Sequence, residues 1–347
     1  MGSRLRAMTE GVTLRVMGAV GTVLFAALLP LLLTEYHIFQ LTLILSYSLA
    51  ILGLNMLVGY NGQMSLGHGA FYAIGAYACA ILMARYGLPW YFAIACAAII
   101  SFAFGFVFGF PALRLEGHHL ALATFALAIA TPQLLKYEKL EYWTGGTQGI
   151  VLLRDDPPAW IAIDPGIWFY LVTLAITVVM FWFASNLLGG RIGAVMLAIR
   201  DQPIAASTVG IDVAFYKMVT FGLSALYTGL AGALGALCIQ YVAPDSFELL
   251  LSIALLVGVA VGGLATIYGA FLGALFIVLV PNLANDVSTA APWAIYGAIL
   301  IAFMILMPDG LAGLMRRGLT GRLRSIRPSE LKREADHELS SKKRSSP

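Results

Sequence analysis

The stretch AIRDQPIAASTVGIDVAFYK, residues 198–217, stands between two oily runs, 167–187 and 218–240, each long enough to cross a bilayer. A crossing helix needs ~20 mostly apolar residues. The stretch itself is too polar for hydrocarbon, so the chain leaves the membrane here, turns and re-enters. Asp201 is placed to cap a helix N-terminus, Pro203 is tolerated in a first turn, and Gly210 suits the left-handed position past a C-terminus. The reading is a short helix over 202–209 with Ile204, Ala205, Ala206 and Val209 at its surface. It has no basic residue of its own to hold it in a headgroup layer. An apolar patch on such a helix fits the helix-in-groove mode of recognition by a soluble partner; packing on the membrane surface and a plain loop are the alternatives.

The whole chain shares this oily character. Of its 347 residues 60% are hydrophobic and 11% charged, with mean hydropathy +0.86, whereas soluble domains carry ~25% charged residues. Apolar runs fall at 17–33, 38–58, 64–84, 91–110, 117–135, 167–187, 218–240, 249–264, 267–281 and 291–307. The expected fold is therefore all-α, a polytopic transmembrane helical bundle of about 10 spans. The range is 8–10, because the eighth and ninth runs are short and Gly262, Gly263 and Gly269 crowd their junction. That junction reads as one broken helix or as two half-helices. Arg4, Arg6 and Arg15 precede the first run, but the run is long and lacks a clear cleavage site, so it reads as an uncleaved anchor.

Orientation follows from lysine and arginine, which accumulate on the cytoplasmic side. Threading the runs with the N-terminus inside puts every basic residue on that side except Arg85, Lys136, Lys139 and Arg154. The chain then divides into a cytoplasmic N-terminal segment, 1–16, a transmembrane domain, 17–315, and a basic, largely disordered cytoplasmic tail, 316–347. Within the membrane domain, 136–166 forms an irregular exterior cap, marked by Gly145-Gly146 and Pro157-Pro158, and 188–217 is a cytoplasmic loop. Membrane lipid is the surrounding partner, and the start of the tail is placed to meet anionic headgroups.

Helices in lipid associate through close packing, which favours small residues on the contact face. Gly69, Ala73, Ala76 and Ala80 form one such stripe, and Gly222, Ala225, Gly229, Gly232 and Ala236 another. Gly258 with Gly262 and Gly269 with Gly273 add two pairs at a spacing of four. A weak internal echo links GHGAFYAIGAYACAIL, 67–82, to YGAFLGALFIVL, 268–279.

Several chemistries are missing from the pattern. A G-x-x-x-x-G-K-[ST] phosphate loop does not occur, so the chain does not bind ATP in that way. Cys79, Cys96 and Cys238 lie inside apolar runs without metal-ligand spacing and read as packing residues. A formal charge of +3 gives no case for nucleic acid, and no nucleophile–base set argues for an enzyme. His68, His118, Glu116 and Arg114 fall near interfacial ends rather than mid-span, against a proton relay. Asn55, Gln63, Ser65 and His68 are candidates for a polar substrate path.

Five blocks, taken in order, resemble one family. GYNGQMSLGHGAFYAIGAYACA (59–80), RLEGHHLALATFALA (114–128), TGGTQGI (144–150), AIRDQPIAASTVGIDVAFYK (198–217) and SALYTGLAGAL (224–234) are similar to the LivM-type permeases of branched-chain amino-acid ABC importers. The resemblance covers about 38–315. It implies an inner-membrane subunit that pairs with a second, LivH-like permease, docks two cytoplasmic ATPases and receives solute from an external binding protein. No cofactor is then bound by this chain; ATP and Mg belong to the partner subunits. Residues 198–210 match the family's coupling helix, which gives Arg200, Asp201, Pro203, Ile204, Ala205, Ala206, Val209 and Gly210 an ATPase-docking role, with Arg200 a polar anchor. Thr144 to Thr147 would meet the binding protein. Permeases for urea or short amides share the motif set, so they stand as the alternative, with an ATP-independent carrier or channel behind them. Gln202, Pro203 and Ser207 replace acidic residues often present in the coupling segment, and His118-His119 is also unusual for the family.

Overall fold

A computed structural model describes residues 21–115, 117–154, 157, 163–287, 292–307 and 310–313. The segment 1–16, the start of the first apolar run, Glu116 and the tail 316–347 lie outside the described residues.

The main elements are helices: α1 (Gly21–Leu32), α2 (Glu35–Tyr60), α3 (His68–Tyr86), α4 (Trp90–Ala112), α5 (His118–Leu135), α6 (Pro165–Gly189), α7 (Arg191–Asp201), α8 (Pro203–Thr208), α9 (Val213–Ile239), α10 (Leu249–Gly262), α11 (Ile267–Val287) and α12 (Pro292–Leu306). Eight helices among the described residues are long and apolar enough to cross a membrane; α1 and α12 are shorter apolar helices. The eighth and ninth apolar runs are two separate spans, Pro244–Gly262 and Ile267–Ala284, divided by a tight break. The protein is thus a multi-pass helical membrane protein.

Local chemistry sets the helix starts. Pro165 opens α6, and the Asp164 carboxylate accepts from the Gly166 N–H at 2.7 Å. Asp212 caps α9 by accepting from the Phe215 N–H at 3.0 Å. Both carboxylates occupy N-caps, where free N–H groups and the helix dipole favour negative charge. The last turn of α2, Met56–Tyr60, widens to π geometry, a form common at functional sites.

Helices α2 and α9 are buried along most of their length, and α9 packs against α2, α3 and α4. Small residues make that possible. A Cβ on Gly75 would overlap the backbone of Gly229, and one on Gly232 would overlap the Tyr72 carbonyl. Gly222 faces Phe102, Gly69 faces Ser252 Oγ, Gly258 faces Ile51, and the pairs Gly262/Gly269 and Gly258/Gly273 bring α10 and α11 backbone to backbone. Without a hydrophobic force between helices in lipid, this close approach is the source of cohesion.

One end of the bundle is capped by short turns at Glu138–Leu140, Glu141–Thr144 and Gly146–Gln148 and a two-residue antiparallel ladder. Its strands, β1 (Ile150–Val151) and β2 (Tyr241–Val242), pair Ile150 with Val242. Lys136 forms an ion pair with Asp245, and Arg85 lies 4.8 Å over the Tyr142 ring. Thr144 is buried, its hydroxyl donating to the Leu135 carbonyl at 2.8 Å, so it holds the cap together. The other end carries α7, α8 and the break between α10 and α11.

Both halves of the sequence echo begin a helix immediately after a break. α3 starts at His68 after the irregular segment 61–67, and α11 starts at Ile267 after 263–266.

Candidate functional site

At the α7–α8 end the polar insert is two helices, not one. The chain from Arg191 runs helically to Asp201, breaks at Gln202 (φ −153°, ψ 87°) and resumes at Pro203. Proline in the first turn is compatible with that restart because its missing N–H has no helical partner to lose. Asp201 does not cap α8: it ends α7, and its Oδ1 accepts from Arg200 Nε at 3.0 Å. Gly210, at φ 85°, closes α8. Its N–H donates to Ser207 O at 3.1 Å while the Ile211 N–H donates to Ala206 O at 3.2 Å, the paired bonds of a Schellman ending.

Exposure corrects the expected face. Ile204 is 79% and Val209 76% exposed, and Ala205 is exposed, but Ala206 is buried at 4%. Ala206 therefore seats α8 on the bundle, and Ile204, Ala205 and Val209 form the outward apolar face. The preceding helix α7 is held by buried Gly193, Met196 and Ile199, whose spacing of three was a legible helical signal.

Arg200, although exposed, reaches back to α2. Its Nη1 donates to the Gly59 carbonyl at 2.7 Å, and its side chain packs over Gly62. Its guanidinium thus joins the π-turn of α2 to Asp201 while the residue stays partly exposed at this end of the bundle.

The candidate path residues separate into three groups. Asn55 bridges to the α10–α11 break: its Nδ2 donates to Thr266 O at 2.9 Å and Gly263 O at 3.4 Å, and its Oδ1 accepts from the Ala265 N–H at 2.9 Å. Ser65 and His68 lie in a closed relay. Ser65 Oγ sits 3.0 Å from His68 Nδ1, His68 Nε2 is 2.6 Å from Ser224 Oγ, and Ser224 donates to Gly53 O at 2.6 Å. A neutral imidazole protonated on Nε2 satisfies all of these bonds at once. Asn55, Ser65 and His68 thus direct their polar atoms to the bundle itself.

Gln63 differs. It is 8% exposed, and its Oε1 is buried without a hydrogen-bond partner among the described residues. Its neighbour Asn61, which the sequence reading did not single out, is 2% exposed and leaves both amide atoms unpartnered. The signal for it was the polar, glycine-bearing GYNGQ at 59–63 between two apolar runs. The segment 61–67 is irregular and rises to His68, level with Ser224, about 16 Å from the start of α9 at 1.5 Å per residue. Irregular backbone at membrane depth is tolerated where protein buries it or where it lines a cavity.

No group of metal-ligating side chains occurs among the described residues. An apolar groove of about 620 Å³, lined by Phe104, Val107, Phe110, Pro111 and Met218, lies on α4 and the start of α9.

Comparison with known proteins adds a family. Residues 36–308 match the family model described as branched-chain amino acid transport system / permease component. The chain is 30% identical over 311 residues to the high-affinity branched-chain amino acid transport system permease protein LivM of Salmonella typhimurium, covering 83% of this chain and 72% of that protein. It is 30% identical over 321 residues to LivM of Escherichia coli, covering 86% and 75%. A shorter match, 28% over 196 residues and 54% of each chain, is to the autoinducer 2 import system permease protein LsrC of Klebsiella pneumoniae. No solved structure matches the chain significantly.

Proposed function

The chain belongs to the permease-component family of branched-chain amino acid transport systems, and on that premise we propose that it is the inner-membrane permease subunit of an ATP-driven importer for branched-chain or related amino acids. It works with a second, LivH-like permease and with an external binding protein that delivers the solute. Two ATPases on the cytoplasmic side supply the energy, and they, rather than this chain, hold ATP and Mg. Transport proceeds by alternating access.

The observation that carries this reading is α8. A six-residue helix, held by Ala206 and closed by Gly210, presents Ile204, Ala205 and Val209 to solvent between two long spans. An apolar knob of this kind suits a groove on a soluble protein. The distribution of lysine and arginine supports placing α7, α8 and the α10–α11 break in the cytoplasm, with the β1–β2 cap outside. The segment 61–67 supports a solute path beside Asn61 and Gln63, because discontinuous helices with free polar groups form such sites in transporters.

The test is uptake of radiolabelled leucine and of urea by proteoliposomes containing this chain with its partner permease, ATPases and external binding protein. ATP-dependent leucine uptake that disappears without the ATPases supports the proposal. Urea uptake without leucine uptake, or leucine uptake by this chain alone, contradicts it.

A further inference from the structure

Three elements distant in sequence meet at the α7–α8 end through one set of hydrogen bonds. Arg200, last but one in α7, donates to the Gly59 carbonyl at 2.7 Å. One helical turn before Gly59, Asn55 holds both sides of the α10–α11 break through Gly263 O, Ala265 N–H and Thr266 O. The contact is tight, since a Cβ on Gly59 would run into both Asn55 Oδ1 and the Ala265 nitrogen. Ala265 has φ 54°, a left-handed conformation unfavourable for a residue with a side chain. Backbone held this way persists where its surroundings over-determine it, and such places cluster at switches.

We propose that Arg200 and Asn55 are positioning residues of the transport stroke, Arg200 tying the docking helix to the Gly59 carbonyl and Asn55 tying the α10–α11 break to the same turn of α2. The proposal rests on the reading that α8 receives an ATPase. Both residues grip main chain, so a displacement of α7 and α8 is delivered to the backbone of two spans instead of being absorbed by side-chain rotation. The guanidinium is always charged, and its bond to a carbonyl is of the stronger, charge-assisted kind. The π-turn and the Ala265 break are local irregularities that can change arrangement without unwinding a full span.

The complete complex, both permeases with their ATPases and the external binding protein, is reconstituted with R200M, R200K, N55L, N55S and the R200M/N55L pair. ATPase co-purification, ATP hydrolysis and solute uptake per ATP are measured. In R200M and N55L the ATPases should stay bound and hydrolyse within about twofold of the native rate, while uptake per ATP falls about tenfold or more, as loss of a charge-assisted or buried hydrogen bond implies. R200K keeps a donor for Gly59 and N55S keeps a small donor and acceptor, so both should retain more coupling than the apolar variants. They also keep the test standing if a bulkier change fails to assemble. The pair should be no worse than its more severe member, because both interrupt one route. Native uptake per ATP in R200M or N55L, or multiplicative losses in the pair, would overturn the proposal. Release of the ATPases by R200M would also overturn it, by placing Arg200 in the docking surface. The underlying docking reading fails by a different result, retention of the ATPases by I204D/V209D.

Discussion

His68 Nε2 and Ser224 Oγ lie 2.6 Å apart in the middle of the bundle, and the bond joins the start of α3 to α9. Replacing His68 with leucine removes one partner from each of two buried hydroxyls, those of Ser65 and Ser224. Interhelical hydrogen bonds in membranes contribute ~1–2 kcal/mol at most. The H68L complex is therefore expected to lose heat stability in detergent while the surviving fraction keeps near-native uptake. Unchanged heat stability with uptake abolished would instead place His68 against the solute.

Gly75 and Gly229 set how closely α3 and α9 approach. A methyl on Gly75 would overlap the Gly229 backbone, which cannot swing aside as a side chain can. G75A is expected to cost about 1–3 kcal/mol, the usual range for overpacking. Gly21 has nothing within 4 Å of the same added atom, so G21A should be neutral. Thermal aggregation of the two purified variants, side by side, checks the difference.

The outward face of α8 gives a binding prediction. Aspartates at Ile204 and Val209 place charge where an apolar groove would close over them. I204D/V209D is expected to weaken ATPase association ~30-fold or more, as loss of a central interface contact does. The permease pair itself should remain inserted, because both side chains are solvent-exposed. Pull-down of the ATPases from solubilised membranes measures it.

Asn61 and Gln63 give a transport prediction. Their buried amide atoms have no hydrogen-bond partner among the described residues, so leucine at either position sacrifices no observed side-chain bond. N61L and Q63L are expected to assemble and hydrolyse ATP normally yet to raise the solute concentration for half-maximal uptake about tenfold, the scale of one lost polar contact. Native uptake kinetics in both would move the path elsewhere.

Much of the fold is visible in the sequence, because hydropathy reports burial in lipid directly. The runs 91–110 and 167–187 fall within α4 and α6. Boundaries were less visible where irregular backbone is itself apolar. The run 64–84 begins four residues before α3, because Met64 and Leu66 read as helix although the chain is irregular through Gly67. At the candidate site, Gly210 announced its left-handed turn and Pro203 its first turn, since both are local backbone properties. The partners of Arg200 and Asn55 were hidden because Gly59 and Ala265 act through main-chain atoms, which leave no side-chain signature in the sequence. The burial of Ala206 was hidden for a related reason: a methyl group is equally at home on either side of a short helix.

The most direct measurement is labelling of cysteine at position 204, in a background with Cys79, Cys96 and Cys238 replaced, by a membrane-impermeant maleimide. The account predicts reaction in inside-out vesicles stripped of ATPases, none in sealed right-side-out vesicles, and protection when the ATPases are added back. Reaction from outside the cell, or an unchanged rate with the ATPases bound, would contradict it.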